Sequence, residues 1–201
     1  MSQSGCIEWQ LCSIVYWSLC CVCIVDVVWG VTQLDNVLYV VCSNSSIIKT
    51  YTADTLSPLA EGIHVEGMRD PRDIVVCRHD RQLYVAQWDC IWQVSVDDDS
   101  YVNWLNTQFS VPSLSITSRH LLVTSSRPPT VRQYSTTNTE LLCVVSLPQY
   151  MKHVWHAVET THGTFVVGHR GTLEKDWKYA VSELLRFYHA CRVTSKQTIY
   201  G

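Results

Sequence analysis

The chain has 201 residues, 47% of them apolar and 16% charged, with a formal net charge of −3. That length and apolar content suit one packed domain or one array of small repeats, and exclude a disordered chain. The slight negative charge removes the general electrostatic case for binding nucleic acid or an anionic membrane surface.

Residues 1–25 are apolar and cysteine-rich. No charge falls in residues 11–25, but the only charge before them is Glu8, so a secretion signal lacks its basic flank. Asp26 interrupts the run before the roughly 20 apolar residues that a spanning helix needs. Trp9, Tyr16, Trp17 and their β-branched neighbours read instead as strands over residues 7–11 and 14–19. Five of the ten cysteines lie in this segment; Cys42, Cys77, Cys90, Cys143 and Cys191 are scattered. The spacing is neither a disulfide framework nor a zinc pattern. The cysteines read as small buried hydrophobes in a reducing, cytoplasmic setting.

From residue 26 onward the chain repeats. An apolar triplet recurs as Leu38-Tyr39-Val40, Leu83-Tyr84-Val85, Leu121-Leu122-Val123 and Phe165-Val166-Val167, at steps of 45, 38 and 44 residues. Ahead of each triplet lies another apolar run, at residues 27–31, 74–76, 114–116 and 155–158. Behind each lie two apolar residues three apart: Ile48 and Tyr51, Ile91 and Val94, Val131 and Tyr134, Leu184 and Phe187. Polar corners follow at residues 52–55, 97–100 and 135–139, and then a fourth apolar run at 59–65, 101–105 and 141–147. Four short strands recurring every 40 to 45 residues is the period of a propeller blade. The expected fold is therefore all-β: a β-propeller of four-stranded antiparallel blades over residues 26–193, incomplete at about four blades. Residues 1–25 supply extra strands that complete a blade, and 194–201 form a polar tail. Residues 171–178 read as an insertion. Val181, Leu184, Leu185 and Tyr188 also fit a helical stripe, so a short helix near residues 175–183 competes with the strand.

In the second unit, Pro71, Ile74, Val76, Leu83-Tyr84-Val85-Ala86, Asp89, Ile91 and Val94 make a blade that resembles an NHL repeat, as found in the propellers of tripartite-motif proteins. Asp73 stands where that family prefers Gly, Gln87 where it prefers Asp, and Cys90 where Arg is usual. The resemblance implies a propeller used as a recognition surface. It implies no ligase activity, because no RING or B-box motif accompanies it.

No catalytic signature, metal site or cofactor motif stands out. The chain has no Gly-x-Ser-x-Gly elbow and no Gly-rich loop followed by Lys. His153, His156, His162 and His169 crowd 17 residues. Residues three apart on a strand point to opposite sides, so His153 and His156 are poorly aimed for a shared metal and read as exposed loop histidines. Asp97-Asp98-Asp99 lacks the glycine and spaced ligands of a calcium loop and reads as a solvated turn.

The leading expectation is a non-enzymatic module that binds a protein partner. In a propeller, the loops entering each innermost strand share a face with those joining strands two and three. That face would display Arg69, Arg72, Trp88, Arg127, Lys152, His153, His156, His169, Arg170 and Trp177, along with Met68, Tyr150 and Lys175. Aromatic residues and Arg are enriched where proteins meet. The opposite face, with Asp35, Asp54, Asp80, the three aspartates and Glu140, would be acidic. Two alternatives stand beside this one. A calcium-dependent lactonase or esterase would need Glu66, Asp73 and Glu159 to converge on the ring axis. An RNA-binding propeller would use Arg and Trp to stack on bases, and is disfavoured by the near neutrality of the face.

Overall fold

A computed structural model describes residues 27–59, 62–117, 120–160, 164–170 and 180–185. The expected strands at residues 7–19, the 171–178 insertion, Trp177, Phe187 and the polar tail lie outside them. The described strands are β1 (Val28–Leu34), β2 (Val37–Cys42), β3 (Ile47–Thr52), β4 (Ile63–His64), β5 (Asp73–Cys77), β6 (Gln82–Ala86), β7 (Cys90–Ser95), β8 (Tyr101–Asn106), β9 (Leu114–Ile116), β10 (His120–Ser126), β11 (Pro129–Ser135), β12 (Leu141–Ser146), β13 (Lys152–Glu159), β14 (Phe165–Arg170) and β15 (Ala180–Leu185).

They form antiparallel meanders in chain order: three sheets of four strands, then β13-β14-β15. Leu184 falls in β15, so a strand and not a helix occupies residues 180–185. The first strands of successive sheets meet, β1 against β5, β5 against β9 and β9 against β13, so each sheet turns its first strand to a common axis. Among the described elements the first and fourth blades do not touch.

The triplets mark strands covered on both faces. Along β6, Leu83 and Val85 pack with Tyr39, Val41 and Ile48 of the first blade. Their alternates Tyr84 and Ala86 pack with Leu114, Leu121 and Val123 of the third. β10 repeats this: Leu121 and Val123 face backward, while Leu122 faces Val154, Ala157 and Phe165 of the fourth blade. A strand with neighbours on both sides has no polar face to alternate, and that is why these stretches are continuously apolar. The outermost strands are wet, and β12 exposes Leu141, Leu142 and Val144.

The corners supply the turn chemistry. Asp35 and Asp99 take positive φ values of 53° and 57° in their turns, a conformation that Asp tolerates better than most residues. The aspartate triplet closes the β7–β8 turn, where Asp98 accepts bonds from Ser100 N–H at 3.2 Å and Ser100 O–H at 2.8 Å. Among the described residues no group of three or more His, Cys, Asp or Glu could hold a metal, and no helix is long and apolar enough to cross a membrane. Cys42, Cys77 and Cys90 are buried thiols; Cys143 differs, being disulfide-bonded.

Candidate functional site

Three polar side chains meet where the inner strands converge. Ser113, just ahead of β9, donates its hydroxyl proton to Asp73 Oδ2 at 2.7 Å, and its Oγ lies 2.5 Å from His156 Nδ1. Asp73 opens β5 and His156 lies in β13, so the chain of bonds ties the second, third and fourth blades together. The backbone N–H groups of Leu114 and Ile74 donate to the same carboxylate, to Oδ2 and Oδ1 respectively, each at 2.9 Å. Burial pushes the Asp73 carboxyl above its ordinary value, against the pull of His156 and these bonds. Burial likewise holds the His156 imidazole below its ordinary value, with Asp73 acting the other way.

These residues occupy one register position. Asp73 pairs across its sheet with Ala86, and His156 with Gly168. Ser113 C=O accepts from Thr124 N–H at 3.2 Å, and Gly30 of the first blade pairs with Val41. Each partner lies three residues after the start of its triplet. Gly30 is the fourth member, and its place explains its lack of a side chain. A Cβ there would lie 2.8 Å from Ile74 N, 3.0 Å from Asp73 Cα and 3.1 Å from Asp73 Oδ1. Glycine lets β1 approach the backbone that carries the carboxylate.

The residue just ahead of this position is presented to the loop face. Trp29 sits at a register shift between Val28 and Gly30, and Trp155 at one between Val154 and His156. Such bulges re-aim a side chain. Trp29 is 40% exposed and Trp155 53% exposed. In the second blade the corresponding residue is Arg72. Its guanidinium lies 4.8 Å from the Trp29 ring and 5.7 Å from that of Trp88, which is 61% exposed. Asp70 holds the same guanidinium at 2.6 Å. Gln87 Oε1 accepts from Arg69 N–H at 2.8 Å and from Trp92 Nε1–H at 3.2 Å, fixing the two loops of this blade side by side.

No family model matches the sequence, and no curated protein does. Solved structures do. The chain is similar to one in the crystal structure of a nidogen/laminin complex, with a TM-score of 0.57 and 16% identity over 73% of this chain and 58% of that one. For the hydrazine synthase of Kuenenia stuttgartiensis the values are 0.61 and 15%, over 77% and 46%. For the WD40 β-propeller domain of Doa1 they are 0.56 and 16%, over 70% and 47%. The fold is a β-propeller. The chain spans about half the length of the chains it matches. At these identities the likeness carries the architecture and does not single out the NHL type of blade.

Within the propeller the expected contact residues separate. Arg69, Arg72, Trp88, Arg127 and His153 lie in loops or strand ends of the expected face, and all but Arg72 are exposed. His169 is partly buried, its ring 6.3 Å from that of Tyr150. Lys152 and Arg170 pair by backbone register at the same end of β13 and β14. His156 departs from the exposed loop histidine expected: it is a strand residue turned to Ser113. Met68 is core, packed with Ile74 and Val85. The carboxylates expected to converge do not. Glu66 is exposed in a loop, and Glu159 ends β13, at the far end from His156, where it accepts from Gln133 at 3.4 Å. Only Asp73 reaches the axis, so the calcium-hydrolase arrangement is absent from these residues. Nor is the trio a hydrolytic triad. Ser113 is 5% exposed and stands between acid and base, whereas nucleophilic catalysis needs the imidazole between serine and carboxylate.

Sequence reasoning missed Gly30, Ser113 and Trp29. The departure at Asp73 from the NHL pattern was a visible signal. Counting three residues past each triplet and crossing to the inner strand would have found its partners.

Proposed function

We propose that this propeller is a non-enzymatic recognition module that binds a protein partner through its loop face. The observation that carries the reading is the stack of Trp29, Arg72 and Trp88. Two exposed indoles, Trp29 at 40% and Trp88 at 61%, lie against one guanidinium, and Trp and Arg are the residues that dominate binding energy at interfaces. The stack holds its side chains before any partner arrives, which lowers the ordering cost of association. Asp70 cancels much of the Arg72 charge, so the patch offers aromatic area and oriented donors more than net charge. Such a patch suits a protein surface better than a phosphate backbone.

The test is affinity capture with two matched variants. One carries Trp29→Ala and Trp88→Ala; the other carries Asp97→Asn and Asp98→Asn on the opposite face. Both must keep the wild-type circular dichroism. The expected result is loss of the captured partner with the first variant and retention with the second. Equal retention by both removes the proposed face.

A further inference from the structure

We propose that the patch of Trp29, Arg72 and Trp88 takes a proline-rich segment of the partner, held in the extended polyproline conformation. This rests on the recognition function proposed above and names the chemistry of the partner. The patch is unbalanced in its hydrogen-bonding groups. Tryptophan and arginine side chains donate and cannot accept. Arg72 gives one N–H to Asp70 at 2.6 Å, yet its side chain stays 28% exposed and has further N–H groups to give. Its Nε–H is buried with no acceptor. The acceptors around the patch are already engaged. Ala86 C=O takes Arg72 N–H at 2.8 Å, and Trp88 C=O takes Val111 N–H at 3.1 Å. Asp89 C=O takes Thr107 N–H at 2.7 Å, and Cys90 C=O takes Gln87 N–H at 2.9 Å. Gln87 Oε1 takes Arg69 N–H and Trp92 Nε1–H.

A ligand for such a surface must bring acceptors and few donors. An ordinary peptide brings one backbone N–H for each C=O, and an N–H covered here without an acceptor weakens binding. Proline brings the C=O without the N–H. In the polyproline helix no C=O is used internally, so each is open to a donor on the receptor. The pyrrolidine rings pack on aromatic side chains. The spacing agrees. Residues on one side of that helix recur every three positions, roughly 9 Å apart. The ring centres of Trp29 and Trp88 lie 4.8 and 5.7 Å from one guanidinium carbon, close enough together for a single turn to touch both.

Charge argues against an acidic segment, which would also bring acceptors without donors. Asp70 already holds the guanidinium, and Asp89, next to Trp88 in the chain, is exposed. A carboxylate arriving at Arg72 would therefore approach like charges, and such juxtaposition is costly at an interface. A run of prolines carries no charge and meets no such cost. It is also stiff before it binds, so little order remains to be imposed on it.

The test uses the full chain labelled with nitrogen-15 and a proline decamer with acetylated and amidated ends, so that no terminal charge takes part. Trp29→Phe and Trp88→Phe assign the two indole N–H signals. Both signals should shift saturably with the proline decamer and stay in place with a capped Gly/Ser decamer. Arg72→Lys keeps the charge but loses the planar fork, and should weaken the response at least about tenfold with the circular dichroism unchanged. Indole signals that ignore the proline decamer, or a response undiminished in Arg72→Lys, overturn the inference. So does a Gly/Ser decamer carrying two Glu that shifts the same signals at lower concentration, which would assign the patch to a carboxylate. Capture that depends on Trp29 and Trp88 while the indoles ignore proline removes this inference alone and leaves the recognition reading standing. Capture indifferent to both tryptophans removes the recognition reading, whatever the indoles do.

Discussion

At the residue scale, the two half-buried ionisable groups have opposite signatures. Asp73 is raised above 3.8, so the stability it contributes is present below that pH and is lost as pH rises through its folded value. His156 is lowered below 6.5, so its contribution is present above 6.5 and is lost as pH falls through its folded value. Urea unfolding across pH 4 to 8 should therefore separate them. The deficit of Asp73→Asn relative to wild type should shrink as pH rises, and that of His156→Gln should shrink as pH falls; a pH-independent deficit in either would contradict the burial described. Gly30→Ala should cost about 1–3 kcal/mol, because its Cβ meets backbone that cannot swing aside. Beyond the departure of Asp73 from the NHL pattern, little of this stood out in the sequence. Gly30, Asp73, Ser113 and His156 are ordinary residues one by one, and only pairing across four sheets brings them to one level.

At the element scale, far more was legible, because burial on both faces writes itself into the chain. Leu83-Tyr84-Val85 is apolar throughout since β6 is pressed by the first blade on one side and the third on the other. Leu83→Ala should cost about 2–5 kcal/mol, whereas Leu142→Ala on the wet strand β12 should stay within about 0.5 kcal/mol; thermal unfolding of the two variants compares them directly. The polar corners were read correctly for the same reason, since turns demand Asp, Asn, Ser and Thr wherever the blade ends. Bulges escaped. The shifts that aim Trp29 and Trp155 at the loop face depend on pairing with β2 and β14, and a sequence pattern of period two contains no trace of them.

At the scale of the whole molecule, the two faces differ in kind. The loop face gathers stacked aromatic residues with a neutralised guanidinium. The other carries Asp35 and Asp97, bridged by Arg81 at 2.9 and 2.7 Å across the first and second blades. Partner binding by the loop face should therefore change little between 50 and 200 mM salt in a titration, whereas a ligand held by 6–10 phosphates would lose roughly 10³–10⁵ in affinity over that range. A steep salt slope would favour RNA over protein. The repeat itself poses a problem of assembly, because blades with like apolar faces can dock in the wrong order as readily as in the right one. The inner-strand position occupied by Gly30, Asp73, Ser113 and His156 distinguishes them. The first blade in the third's place would offer Gly30 instead of Ser113, leaving carboxyl and imidazole without the hydroxyl that joins them, at about 1–3 kcal/mol for each unmade bond. One position per blade thus serves as an address, telling each blade which neighbour is its own while the chain folds.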